Sequence, residues 1–149
     1  MILNNLCIPT ENKAAILFGE AAPVLLSALL VVIRARLAES YLAIVTLVNL
    51  SYLADDHAKT MLLNYCPDKT SREAPTTYRY QLPADDPYSL LRTLEAVLKE
   101  FVPYLKGHQA VNSVEQQCCR WSMNVIRNLV VVDENALKIA RTAIPAQAV

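Results

Sequence analysis

Through most of the chain apolar residues recur at three- and four-residue steps, the spacing of helices that bury one side. The pattern predicts a short helix over 11–18 ("ENKAAILF"), ended by Gly19, and a second over 23–35 with Pro23 in its first turn, where a missing N–H costs nothing. A third runs over 39–53, a fourth over 55–65 ("DDHAKTMLLNY") and a sixth over 111–131. Between the last two, a fifth over 87–102 takes Asp86-Pro87 as N-cap and first-turn proline and is ended by Pro103 and Gly107. The segment 66–86, "CPDKTSREAPTTYRYQLPADD", has three Pro, many polar residues and no helical period, and is expected to be a loop.

A repeated pattern organises these helices. Aligned on Asn-Leu, "MILNNLCIPTENKAAIL", "VTLVNLSYLADDHAKTML" and "NVIRNLVVVDENALKIA" match in register. The Asn stands at 5, 49 and 128. Two positions earlier comes Leu3, Leu47 or Ile126; one later, Leu6, Leu50 or Leu129; six later an acid, Glu11, Asp55 or Glu134. A carboxylate suits the positive end of a helix, so one helix is expected to end and another to begin at each place. From Asn5 to Asn49 is 44 residues, within the roughly 40–47 of helical repeats; Asn49 to Asn128 is 79, so the excess is loop or an extra unit, and 66–86 is assigned as loop.

Short, long, long is thus one cycle, and the pattern resembles an armadillo repeat. The residues that carry the resemblance are Leu3-Asn4-Asn5-Leu6, Leu47-Val48-Asn49-Leu50 and Ile126-Arg127-Asn128-Leu129, then Glu11-Asn12, Asp55-Asp56 and Glu134-Asn135, and the entries Ala22-Pro23 and Ile144-Pro145. The resemblance implies an all-α, right-handed solenoid of three-helix repeats, with HEAT-like helix pairs as the alternative if the short helices at 11–18 and 55–65 were loop. A single domain would hold the end of one repeat (1–10), a repeat (11–54), a second with the insertion 66–86 (55–132), and the start of another (133–149). It is weak over 66–110. Both ends lack a polar cap over the stacking face, which leads to the expectation of a section of a longer solenoid or assembly.

The family's third helices line a concave groove whose Asn side chains hold the backbone of an extended peptide. An amide can donate to one main-chain group and accept from another. The implied partner-binding residues are Asn5; Tyr41, Val45 and Asn49; and Arg120, Asn124 and Asn128 with Trp121 at the flank, Met1 standing four before Asn5. The Trp that cradles Lys stems in nuclear-import adaptors is replaced four before each Asn by Met1, Val45 and Asn124, which argues against a basic ligand. Beside this stand plainer roles: the Asn residues as bridges between helices, Trp121 as a packing residue, Arg120 and Arg127 as solvated charges.

Composition narrows the rest. With 54% hydrophobic residues and two Gly in 149, packed helices are favoured, and a net charge of zero leaves no basic field for nucleic acid or an anionic bilayer. The longest apolar run, Ala21 to Ile33, is too short to span a membrane. No signal peptide is visible. Cys7, Cys66, Cys118 and Cys119 form no Cys-x-x-Cys pair and stand at no ligand spacing from His57 or His108; reduced thiols in an intracellular protein are expected, and no metal or cofactor. Asp55-Asp56-His57 and Asp85-Asp86 suit helix starts, and no Gly-rich phosphate loop or nucleophile pattern is present, so no catalysis is expected. Tyr78 and Tyr80, with the hydroxyls of Thr70, Ser71, Thr76 and Thr77, are candidate recognition or modification positions in the loop. The function implied is a protein-interaction scaffold, or else a spacer within a larger assembly.

Overall fold

A computed structural model of the chain describes residues 2–36, 38–67, 78–79, 88–105, 113–142 and 144. The fold is all-α. Eight helices follow in order among the described residues: α1 (Ile2–Leu6), α2 (Thr10–Phe18), α3 (Ala22–Arg34), α4 (Ser40–Ser51), α5 (Asp56–Asn64), α6 (Leu90–Leu105), α7 (Val114–Leu129) and α8 (Asp133–Ala140). In the segment expected to be wholly loop, β1 (Cys66–Pro67) pairs antiparallel with β2 (Tyr78–Arg79), Cys66 opposite Arg79 and Pro67 opposite Tyr78. Met1, Tyr80, Asp85, Asp86, Gly107, His108, Pro145 and the loop hydroxyls lie outside the described residues.

Local chemistry sets the helix ends. Gly19 follows α2 as expected, and the reason is space: a Cβ there would stand 2.3 Å from the Ala15 carbonyl oxygen, inside any tolerable contact. The α2 and α3 axes then meet at 94°. Ser113 caps α7 through the Gln116 N–H at 3.2 Å, and Asp55 caps α5 through the Ala58 N–H at 2.7 Å. Two expectations for α6 are corrected. It starts at Leu90 and not at 87, and its first turn is held by Ser89, whose Oγ accepts from the Arg92 N–H at 3.2 Å; Asp86 and Pro87 lie outside the described residues. It also continues through Pro103 to Leu105. Proline this close to a helix end removes one donor, and the Lys99 carbonyl that would have received it belongs to an exposed residue that water can reach.

Each long helix packs on its neighbour within a cycle and on its counterpart one cycle away. Thus α3 lies on α4 and α6 on α7, while α3 also touches α6, and α4 touches both α1 and α7; α5 meets α4, α6, α7 and α8. The core runs through this stack: Leu26, Leu30 and Ile33 of α3, Ile44, Leu47 and Leu50 of α4, Leu90, Leu94 and Leu98 of α6, and Cys119, Val125 and Leu129 of α7 are all buried. Tyr65 closes the end of α5 beneath α3, where its hydroxyl meets Ser27 Oγ at 2.5 Å and donates to the Pro23 carbonyl at 3.2 Å. Among the described residues no single helix is long and apolar enough to cross a membrane.

Candidate functional site

The repeated Asn-Leu pattern does its first work inside the stack. Asn128 Nδ2 donates to the Val48 carbonyl at 3.3 Å and to Ser51 Oγ at 3.1 Å. Asn49 Nδ2 donates to the Asn4 carbonyl at 3.4 Å and to Asn4 Oδ1 at 2.7 Å. Val48 and Asn4 hold the same place, one residue before the aligned Asn, so one bond recurs between α4 and α7 and between α1 and α4. Both donor protons of each amide are thereby used. Each Oδ1 accepts no hydrogen bond among the described residues, which leaves the acceptor half of the amide-to-peptide arrangement and occupies the donor half.

The Asn that follows the acid repeats a second bond. Asn12 Nδ2 donates to the Leu6 carbonyl at 3.0 Å, and Asn135 Nδ2 to the Leu129 carbonyl at 3.1 Å, each reaching back six residues to the Leu of Asn-Leu. These carbonyls end α1 and α7, where a helix has no partners of its own for them. The middle copy has Asp56, which lacks the donor.

Lys13 serves the same helix ends and was not singled out from sequence. It is 4% exposed, and its ammonium donates to the Cys7 carbonyl at 3.1 Å and to the Asn49 carbonyl, tying the end of α1 to the end of α4. Burial pulls its pKa below the ordinary lysine value, and the neighbouring Cys7 works in the opposite sense. Burial pushes the Cys7 thiol up from 9.0 to about 11, with Lys13 opposing. A lysine eight positions after the aligned Asn carries no periodic signal, since His57 and Ala136 fill that place in the other copies.

The face formed by α1, α4 and α7 gathers the sequence-derived candidates. Asn5 is exposed, and Asn4 rather than Asn5 makes the bond to α4. Tyr41, Val45 and Asn49 are half-buried on α4; Trp121, Asn124 and Asn128 are half-buried on α7, and Arg120 is exposed. Tyr41 and Trp121 pack against the core, the plainer role foreseen for Trp121. Asn124, Arg120 and Arg127 make no hydrogen bond or ion pair among the described residues.

Elsewhere, Phe18, His57, Thr60, Met61 and Asn64 line a shallow cavity of about 340 Å³ between α2 and α5, with the Phe18 and His57 rings stacked at 5.3 Å. Cys7, Cys66, Cys118 and Cys119 are free and buried. Among the described residues no three His, Cys, Asp or Glu side chains converge as a metal site would need. The sequence matches no known protein family, and neither curated proteins nor solved structures include a significant match to it.

Proposed function

We propose that this chain forms an armadillo-like, right-handed α-solenoid that works as a non-catalytic protein-interaction scaffold. Its partner, a protein or an extended peptide, lies along the face of α1, α4 and α7. The observation that carries the reading is the recurring bond of Asn49 to the Asn4 carbonyl and Asn128 to the Val48 carbonyl, which stacks these helices in one register. In that register Val45 holds the same place on α4 as Asn124 on α7, four before the aligned Asn, and Tyr41 the same place as Arg120, eight before it. Nucleic acid and membrane are not the partners proposed, and the compartment proposed is intracellular.

The test is affinity capture from the source cell, comparing the native chain with a Val45→Ala/Asn124→Ala variant whose helicity and melting temperature match it. Proteins kept by the native chain and lost by the variant support the reading. Partners unchanged by the variant support a second reading, a spacer within a larger assembly. That reading is favoured by the use of both Asn donors in helix-to-helix bonds.

A further inference from the structure

We propose that the ligand of the α1–α4–α7 face is an acidic, extended peptide; the inference rests on the reading of that face as the binding surface. Arg120, Asn124 and Arg127 follow at steps of four and three and so form one stripe along α7. Both arginines are exposed, and neither is engaged by another described residue. Helices α1 ("ILNNL") and α4 ("SYLAIVTLVNLS") contain no charged residue, so the neighbouring ladder helices bring no carboxylate to neutralise them.

Among the described residues, four carboxylates on elements packed around α7 are engaged by other groups, and none is paired with Arg120 or Arg127. Glu95 is held by Arg92 and Glu100 by Arg36, each at 2.6 Å, and Glu134 by Lys138 at 2.6 Å. Asp55 caps its own helix. Glu115, the one acid of α7, stands five positions before Arg120, about 140° around the helix. Glu39 precedes α4, Asp56 lies in the first turn of α5, and Asp133 in that of α8. Among the described residues of α1, α4 and α7, the exposed charges on this stripe are the two arginines, on a chain whose total charge is zero.

The two kinds of group on this face ask for complementary parts of one ligand. Guanidinium groups take carboxylates in paired, charge-assisted hydrogen bonds. The Oδ1 atoms of Asn49 and Asn128 accept, so they suit main-chain N–H groups of an extended strand. A carboxylate-bearing strand supplies both, whereas a lysine-rich one would place its charges against Arg120 and Arg127.

The experiment is selection of peptides from a randomised display library on the full chain at ~50 and ~300 mM salt. Peptides rich in Asp and Glu are expected, held more weakly at the higher salt. Their affinity should fall roughly tenfold or more for Arg120→Glu/Arg127→Glu, whose fold is checked by circular dichroism. Selection by that variant should turn towards Lys and Arg. If selected peptides have no charge bias yet are released by Val45→Ala/Asn124→Ala, the face binds peptide and the charge inference is overturned. If neither variant alters binding, or no peptide is captured, both the inference and the binding face are overturned.

Discussion

The turn from α1 into α2 and the turn from α4 into α5 start from one sequence register and close differently. Four positions after the aligned Asn, the first turn has Pro9 at φ −63° and the second has Leu53 at φ 54°, in the left-handed region. Helix α2 then starts at Thr10, five positions after Asn5, whereas α5 starts at Asp56, seven after Asn49. Eight positions after the Asn, Lys13 is in the body of α2, tied back to the Cys7 and Asn49 carbonyls. His57 is in the first turn of α5, exposed, stacked on Phe18. The repeat thus sets where the ladder helices end, and each turn meets the leftover carbonyls and N–H groups with its own chemistry. The first uses side-chain donors on carbonyls; the second uses a left-handed residue and an N-cap.

Lys13→Ala should break that contrast most. It strips donors from one buried and one half-buried carbonyl and leaves space where a long side chain was, and we expect a loss of about 3 kcal/mol in urea unfolding. Lys13→Met restores the volume without the charge and should recover part of it, because burying an ammonium carries its own desolvation cost. Equal losses for the two variants would mean that the volume counts for nothing. Next comes Leu53→Pro, which transplants the first turn's proline into the second. Proline cannot reach φ 54°, so about 2–3 kcal/mol should be lost, against less than about 1 for Pro9→Leu. Similar costs for the two would show that the turns share one backbone path after all.

Alkaline pH sharpens the comparison through Cys7, whose counterpart in the second turn is Ser51. Burial raises the thiols of Cys7, Cys118 and Cys119 from 9.0 to about 11. The folded chain therefore keeps these protons while the unfolded chain gives them up, so their contribution is complete below pH 9 and is lost as pH rises towards 11. Lys13, lowered from 10.5, acts oppositely, since the folded chain sheds that proton first and gains stability as pH rises to 10.5. Three groups against one give a net fall. Urea midpoints between pH 9 and 11 should decline, and Cys7→Ser should reduce the slope there by about one proton. A slope unchanged by Cys7→Ser would mean that this thiol does not titrate as its burial requires. Smaller again is Asp55→Ala, which removes the cap on the Ala58 N–H and should cost about 1 kcal/mol, read as a lower melting temperature.

The all-α class and the helix positions were legible because apolar spacing reports on burial, which is local and periodic. The predicted helices 11–18, 23–35, 39–53 and 55–65 lie within two residues of α2, α3, α4 and α5 at each end. Legibility stopped where the deciding partner is distant in sequence. Nothing near Lys13 reveals that the Asn49 carbonyl waits 36 residues away, and nothing near Asn128 reveals Val48, 80 residues earlier. The start of α6 was misread for another reason. Asp86-Pro87 and Ser89 both offer helix-opening chemistry within four residues, and the sequence does not show that the Ser89 hydroxyl holds the first turn from Leu90. Helical spacing alone grouped Tyr41, Val45 and Asn49 on one helix and Arg120, Asn124 and Asn128 on another, while the commitment of both Asn donors to the preceding helix was invisible.

His57→Lys asks whether the first turn's solution can be copied by changing one side chain. The counterparts of the Cys7 and Asn49 carbonyls are those of Ser51 and Asn128. Because α5 starts two positions late, residue 57 lies in the first helical turn on the solvent side, and a lysine there should stay in water. It would bring a cation to the positive end of the helix and give up the stack on Phe18, so a loss within about 0.5 kcal/mol is expected, the smallest effect of this set. A clear rise in melting temperature would mean that the ammonium has found the Ser51 and Asn128 carbonyls. The difference between the turns would then rest on the identity of one residue and not on the backbone path set by Leu53.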